Sequence, residues 1–320
     1  MSIDSDYILQ VTGATAAEPI AVVQSLWSGY GEIVRYRLTG APQSSVIVKQ
    51  INPPTNSQHP RGWNSDIGHQ RKLRSYQVEV AWYQQWAHRC LPSCRVPACL
   101  GVAQQGESTT LVLEDLNAAG FPLRKQQITP AELAACIEWL AQFHARFMGA
   151  EPQGLWPVGS YWHLATRPEE WAAMADGPLK EAAGLIDARL NQARFQTLIH
   201  GDAKLANFCF GDSGGPVAAV DFQYVGAGCG MKDLAYFVGS VLSEAECERQ
   251  EAQFLTHYFQ SLRGALAASQ PTIDATALEA EWRALYPFAW ADFYRFLQGW
   301  MPGHKKLNRY GNRLVSQLDL

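Results

Sequence analysis

The sequence predicts an α+β protein in two lobes: an antiparallel sheet with one helix over 1–116, then a mainly helical lobe over 117–320. Three observations carry that reading. Strand-like alternation is confined to the first third of the chain. A single helical stretch, around 70–89, interrupts it. Beyond Thr129, apolar residues recur at helical spacing in three long segments.

Taken in order, Val34, Tyr36 and Leu38 alternate with Arg35 and Arg37, the period of a half-buried strand. Gly40 to Ser44 is turn chemistry and Ser45 to Ile51 reads as a second strand, so the pair forms a hairpin. Residues 52–69 hold three prolines and two glycines and read as an irregular excursion before the helix. Thr109 to Leu113 is a further strand, running into Glu114-Asp115-Leu116. Asn117 to Gly120 is a loop and the lobe boundary. Thr129-Pro130 is a helix N-cap with proline at the first helical position. Leu133, Ile137, Leu140, Phe143 and Phe147 follow at helical spacing. Phe254, Tyr258, Leu262 and Leu266 repeat the pattern, as do Phe293, Phe296, Leu297 and Trp300.

Composition narrows the class. The chain has 320 residues, 47% hydrophobic and 18% charged, which excludes disorder as the dominant state. A net charge of −4 offers no basic excess for a nucleic-acid backbone or an anionic membrane. No apolar run approaches the ~20 residues of a membrane span. Met1 to Asp6 is acidic and lacks the pattern of a secretory signal. The expectation is a soluble cytoplasmic enzyme. Seven cysteines suggest no disulfide framework. His88, Cys90, Cys94 and Cys99 have drifting spacing, broken by Pro92 and Pro97, with no second pair to complete a zinc set.

The densest polar run in an apolar setting is Leu198 to Phe210, which contains His200, Gly201, Asp202, Lys204 and Asn207. Beyond it, Val217 to Val220 is a short apolar strand that delivers Asp221. Phosphoryl transfer from ATP needs this inventory. One carboxylate, Asp202, orients an accepting hydroxyl and takes its proton. An amide oxygen, Asn207, and a second carboxylate, Asp221, hold Mg2+. A cation, Lys204, neutralises charge on the moving phosphoryl. Lys49 shares a strand face with Ile47 and Ile51, where a lysine is costly unless paired.

With those residues in place the chain resembles the protein-kinase-like small-molecule kinases, the aminoglycoside phosphotransferase and choline kinase superfamily, including its ecdysteroid-kinase-like branch. The resemblance covers nearly the whole chain. It implies a bilobal kinase-like fold that uses ATP and Mg2+. Gly29 and Gly31, in Leu26 to Glu32, resemble the glycine turn over the ATP phosphates. Lys49 resembles the strand lysine that contacts the α- and β-phosphates, and Glu79 the helix glutamate paired with it. Glu114 and Leu116 resemble the hinge that meets adenine through backbone groups. Gly230 to Phe237 resembles the family's helix start after the metal aspartate. The implied acceptor is the hydroxyl of a small molecule, choline-like, aminoglycoside-like or another metabolite. Gly201 stands where regulated protein kinases carry arginine, and Phe222-Gln223 follows Asp221. Residues 222–232 contain no serine or threonine, which suits an active site that needs no phosphorylation.

Competing readings are weaker. Gly211-Asp212-Ser213-Gly214-Gly215 spells a serine-hydrolase signature, but it precedes a strand where a nucleophile elbow needs a helix. It reads better as a hairpin turn. Val11 to Thr15 opens like a reductase nucleotide loop, but the later glycines are missing. Trp282, Trp290 and Trp300 with Asp292 could cage a quaternary ammonium, although tryptophans at helical spacing are usually core. A nucleotide-binding pseudokinase would not need Lys49, Asp202, Asn207 and Asp221 together. The sequence gives neither the acceptor nor the oligomeric state.

Overall fold

The computed structural model describes residues 3–26, 29–53, 66–212 and 214–318. The order of elements is α1 (Ile3–Thr12), β1 (Ala16–Ser25), β2 (Gly31–Thr39), β3 (Ser45–Ile51), α2 (Asp66–Gln85), β4 (Cys99–Gln105) and β5 (Ser108–Glu114). These are followed by α3 (Pro130–Arg146), α4 (Pro168–Ala173), α5 (Pro178–Glu181), α6 (Ala183–Asn191), β6 (Thr197–Ile199), β7 (Phe208–Phe210), β8 (Val217–Ala219) and β9 (Gly226–Gly228). The chain ends in α7 (Met231–Val241), α8 (Glu244–Ser269), α9 (Ala275–Trp300) and α10 (Arg309–Ser316).

The first five strands form one antiparallel sheet in the order β1-β2-β3-β5-β4. The expected hairpin is β2–β3, with Ile33 opposite Lys49 and Arg37 opposite Ser45. Lys49 therefore lies on the central strand, flanked by Ile33 and Leu111. The first lobe holds more than the sequence reading gave it. A second helix, α1, and strands β1 and β4 are added to the one helix and three strands expected. They lacked a signal for physical reasons. Ile8 is the fully buried residue of α1, and β1 is almost wholly exposed at the sheet edge. That edge strand tolerates Pro19 beside a bulge. The helix expected at 70–89 begins at Asp66, ends at Gln85, and gives way to a 3-10 turn at Ala87–Arg89. Residues 54–65 of the expected excursion lie outside the described residues.

The remainder is mainly helical and follows the predicted caps. The Thr129 side chain accepts from the Glu132 N–H and the Glu132 carboxylate accepts from the Thr129 N–H, a closed capping box ahead of Pro130. Leu133, Ile137, Leu140 and Phe143 face the core from α3, which packs along α8 through buried Phe254, Tyr258 and Leu262. One large apolar cluster spans both parts. Trp82 of α2 stacks on Phe222 at 4.4 Å, and Phe222 lies 6.1 Å from Phe143 of α3. This ties α2, under the sheet, to the segment that follows Asp221. No helix among the described residues is long and apolar enough to cross a membrane.

Candidate active site

Two short antiparallel pairs, β6–β9 and β7–β8, build the site where the sheet meets the helices. The loop from β6 to β7 carries His200 to Asn207, and β8 ends just before Asp221. The Val220 N–H donates to the Asn207 carbonyl at 3.0 Å, which holds the two runs side by side. The β7–β8 hairpin matches the turn expected around Ser213, a residue outside the described set.

The loop is braced from below by one buried carboxylate. Asp233, in the first turn of α7, accepts from the His200 N–H at 2.6 Å and the Gly201 N–H at 2.9 Å. His144 of α3 reaches the same carboxylate at 3.2 Å and meets the Tyr258 hydroxyl at 2.7 Å with its other nitrogen. Burial alone would raise the Asp233 carboxyl, but His144, His200 and the Gly201 amide hold it below its ordinary value. His200 serves the backbone too. Its Nδ1 accepts from the Asp202 N–H at 3.2 Å, so its proton lies on Nε2, which donates to the Val220 carbonyl at 3.0 Å. Both histidines are therefore packed braces.

Asp202, Lys204, Asn207 and Asp221 come together. Lys204 Nζ donates to Asp202 Oδ2 at 2.8 Å. Asn207 Nδ2 donates to the Asp202 carbonyl at 2.8 Å and to Oδ2 at 3.2 Å. That fixes the amide and leaves Asn207 Oδ1 as its free acceptor. Asp202 Oδ1 and Asp221 Oδ1 are both buried with no hydrogen-bond partner. A buried carboxylate oxygen without a donor is costly, so the pair is arranged for something these residues do not supply. A divalent cation fits that donor set: a carboxylate oxygen and an amide oxygen, both hard ligands. Among the described residues no three His, Cys, Asp or Glu side chains converge as a metal set, so His88, Cys90, Cys94 and Cys99 form none. Asp221 also has φ 71, one of two non-glycine residues at positive φ among the described residues, the other being buried Ser160 at φ 100.

The electrostatics separate the two aspartates. Burial raises Asp202, helped by the Asp221 charge and opposed by Lys204. Burial would raise Asp221 as well, but Lys49, Lys204 and Lys72 together hold it below its ordinary value. Burial pulls Lys204 down, while Asp202 and Asp221 lift it above its usual value.

Lys49 and Glu79 form the expected ion pair at 2.6 Å, both buried. Lys72 was not expected. Burial pulls it down to about 8, against the attraction of Asp221. It donates to Gln223 Oε1 at 2.9 Å and lies 4.6 Å from the centre of the Tyr76 ring. A faint sequence signal existed: Lys72 stands two helical turns before Glu79, on the same face of α2.

Gly29 lies in the turn between β1 and β2, at φ 75, and Gly31 opens β2, at φ 129. A Cβ on Gly31 would sit 2.0 Å from the Gln50 carbonyl oxygen, so the close backbone approach requires glycine there. Trp27 and Ser28, between β1 and Gly29, lie outside the described residues. At the end of β5 the Glu114 N–H is taken by the Ala98 carbonyl, and its side chain by Arg95 and the Ala98 N–H. Its carbonyl is what remains to offer a ligand. Leu116 is buried in an apolar patch with Cys209 and Ala218. Asp115 anchors this corner through Arg35 and Ser45, each at 2.7 Å.

The tryptophans do not form the cage that was weighed. Trp282 and Trp290 are buried core side chains, and Trp300 stacks on Phe296. Asp292 pairs with Lys232 at 3.2 Å and Arg295 at 2.7 Å. A different aromatic wall stands beside Asp202. Tyr236 lies against Tyr161 and Asp202, and packs on Phe293 and Trp162 at centroid distances of 5.0 and 4.9 Å.

A family model described as "Phosphotransferase enzyme family" matches residues 23–269. No curated protein sequence matches the chain. The structure of the microcompartment-associated aminopropanol kinase aligns over 97% of this chain and 92% of its own, at 15% identity and a TM-score of 0.50. A choline/ethanolamine kinase family protein from Mesorhizobium loti aligns over 96% and 90%, at 14% identity and a TM-score of 0.47. The GDP complex of aminoglycoside 2'-phosphotransferase-IIIa aligns over 95% and 92%, at 11% identity and a TM-score of 0.46. At such identities the first likeness speaks to the fold alone, which is kinase-like, and the other two carry no argument.

Proposed function

The chain belongs to the phosphotransferase enzyme family, and from that premise we propose that it moves the γ-phosphoryl group of ATP to a hydroxyl of a small molecule. The observation that carries this reading is the pair of orphaned, buried carboxylate oxygens, Asp202 Oδ1 and Asp221 Oδ1, on two residues close enough for the Asp221 charge to act on Asp202. Asp202 Oδ1 is free to accept a hydrogen bond from the acceptor hydroxyl and to take its proton as the O–P bond forms. Burial strengthens Asp202 as a base by raising it. Asn207 Oδ1 and Asp221 Oδ1 would hold Mg2+, which when bound neutralises charge on the phosphate oxygens. Lys49, fixed by Glu79, serves the phosphates as the resemblance implies, and Lys204 faces the transferring group. Lys72 adds a further cation, positioned by Gln223. Gly29 and Gly31 let the backbone approach the phosphates, and Leu116, with the Glu114 carbonyl, borders the base. In this reading residues 1–116 cover the nucleotide and residues 117–320 carry the acceptor side.

The test is a screen of hydroxylated compounds with Mg–ATP, read as ADP release. At least one should raise turnover well above the water background. Asp202→Asn should lower that turnover at least 100-fold, in line with the usual 10²–10⁴-fold contribution of a general base. Acceptor-dependent turnover that survives in Asp202→Asn would remove the central role given to this carboxylate.

A further inference from the structure

The acceptor side of the site carries its own charge signature. The sequence allowed a cation cage in which aromatic rings surround a quaternary ammonium near Asp292. The structure takes away both halves of that cage. Asp292 is fully buried and already shared between Lys232, Arg295 and the Trp162 indole N–H at 3.0 Å. The aromatic wall beside Asp202 already has an ammonium on it. Lys306 Nζ sits 4.9 Å from the centre of the Tyr236 ring and 5.5 Å from that of Phe293.

Lys306 lies in the turn between α9 and α10, and that turn is ordered. The Lys306 N–H donates to His304 Nδ1 at 3.1 Å, and Leu307 N–H to the His304 carbonyl at 2.9 Å. Among the described residues no carboxylate lies within 4 Å of Lys306 Nζ. The carboxylate whose charge it feels is Asp202, and that one is paired to Lys204. Burial, with the charges of Lys204 and Lys305, pulls the half-buried Lys306 ammonium down to about 8, against the attraction of Asp202.

We propose that the phosphoryl acceptor presents an anionic group to Lys306, against Tyr236 and Phe293, with its hydroxyl turned toward Asp202. The proposal rests on the phosphoryl-transfer reading above. A cationic acceptor would meet a like charge here, which is unfavourable. An anionic one gains a charge-assisted hydrogen bond and fills the position that no carboxylate of the chain occupies. The rings then pack on its apolar part. An anionic hydroxyl compound is a different acceptor class from the choline-like and aminoglycoside-like compounds first weighed.

The test uses two matched probes, phenylacetate and 2-phenylethylammonium, which share a ring and differ in charge. Binding to the full-length protein is followed by calorimetry with Mg–ADP present. The wild type should bind phenylacetate at least tenfold more tightly than the ammonium. Lys306→Met should abolish that preference, Lys306→Glu should reverse it and Lys306→Arg should keep it. Equal or reversed preference in the wild type, binding of neither probe below about 10 mM, or a preference that persists in Lys306→Met overturns the proposal. So does displacement of phenylacetate by Mg–ATP, which would give Lys306 to the nucleotide instead. Mg–ATP turnover in wild type and Asp202→Asn is measured on the same preparations. Loss of the reaction reading with the probe preference intact, or the converse, tells which of the two has failed.

Discussion

Asp202 and Asp221 each leave one buried oxygen without a donor, at a cost of about 1–3 kcal/mol apiece. Asp221 also sits in strained backbone, at φ 71, while the turn before Asp202 is made by Gly201 at φ 78, which a glycine adopts without cost. Strain of this kind persists where the surroundings over-determine it. The two carboxylates differ in what surrounds them. Lys49, Lys204 and Lys72 keep Asp221 ionised, whereas burial lifts Asp202. Their removal should therefore be felt differently. Asp221→Asn is expected to weaken Mg–ATP binding at least tenfold, because a metal carboxylate is lost. Asp202→Asn is expected to leave it within about threefold, because its work lies at the acceptor. Calorimetric titration of both variants decides this, and equal losses would refute the division of roles. These aspartates were legible in the sequence because short-range order fixes them. An eight-residue loop and a strand end are local structures, and their polar residues stand out against apolar neighbours.

The element that matters most is the segment from Asp221 to Asp233. In regulated kinases the corresponding stretch is ordered by a phosphate paired to an arginine before the catalytic aspartate. Here that position is Gly201, and the structure gives a reason. A Cβ at Gly201 would lie 2.1 Å from the Tyr224 carbonyl oxygen and 2.7 Å from the Ser160 amide nitrogen. The loop at 156–161 clamps the segment from the other side. Trp156 N–H donates to Val225 O at 3.1 Å, Gly159 N–H to Ala227 O at 2.8 Å and Ser160 N–H to Tyr224 O at 3.2 Å. Phe222 is stacked in the core and β9 is paired with β6. No side chain fits between these backbones, so the segment is held by packing with no room for a switch arginine. Gly201→Ala should lower stability by roughly 2–3 kcal/mol and reduce turnover, since both close contact and positive φ oppose a Cβ. Gly184→Ala is the control: nothing lies within 4 Å of its added Cβ and it sits in α6. That change should be neutral or slightly stabilising. Equal melting temperatures for the two variants would show that the Gly201 contact carries no weight.

At the scale of the molecule, the helical part is joined through a buried ionic group. Lys232 of α7, Asp292 and Arg295 of α9 and the Trp162 indole meet with essentially no exposure. Burial would raise Asp292, but Lys232 and Arg295 hold it down at about 2. A carboxylate depressed by folding stabilises the native state above its unfolded value, and loses that contribution as pH falls through the folded value. The gap from 3.8 to about 2 corresponds to roughly 2 kcal/mol. Asp292→Asn should lose at least that contribution at neutral pH, since it also leaves Lys232 and Arg295 buried without their counter-charge. The difference should hold constant down to about pH 4 and shrink toward pH 2. Urea unfolding of both proteins across that range checks it. A difference that stays flat or widens on acidification would contradict the sign.

The sequence by itself determined the central strand, the capped helices and the catalytic-loop cluster. Each rests on short-range rules: alternation along β3, the Thr129–Pro130 cap, and polar residues bunched between apolar strands. It also established that Lys49 needed a partner, since its neighbours Ile47 and Ile51 share its buried face. The residue supplying that partner came from family resemblance, and the 2.6 Å contact with Glu79 is a matter of how α2 lies under the sheet. What tertiary structure alone decided is the far side of the site. Lys72 of α2, Tyr236 of α7 and Lys306 of the α9–α10 turn come from distant parts of the chain, and Lys306 stands about a hundred residues beyond Asp202. No local period marks such a residue. Its role depends on which ring it rests against and which carboxylate it lacks, and packing of distant elements sets both. The same holds for α1 and β1, which bury too little apolar surface for their sequences to show a pattern.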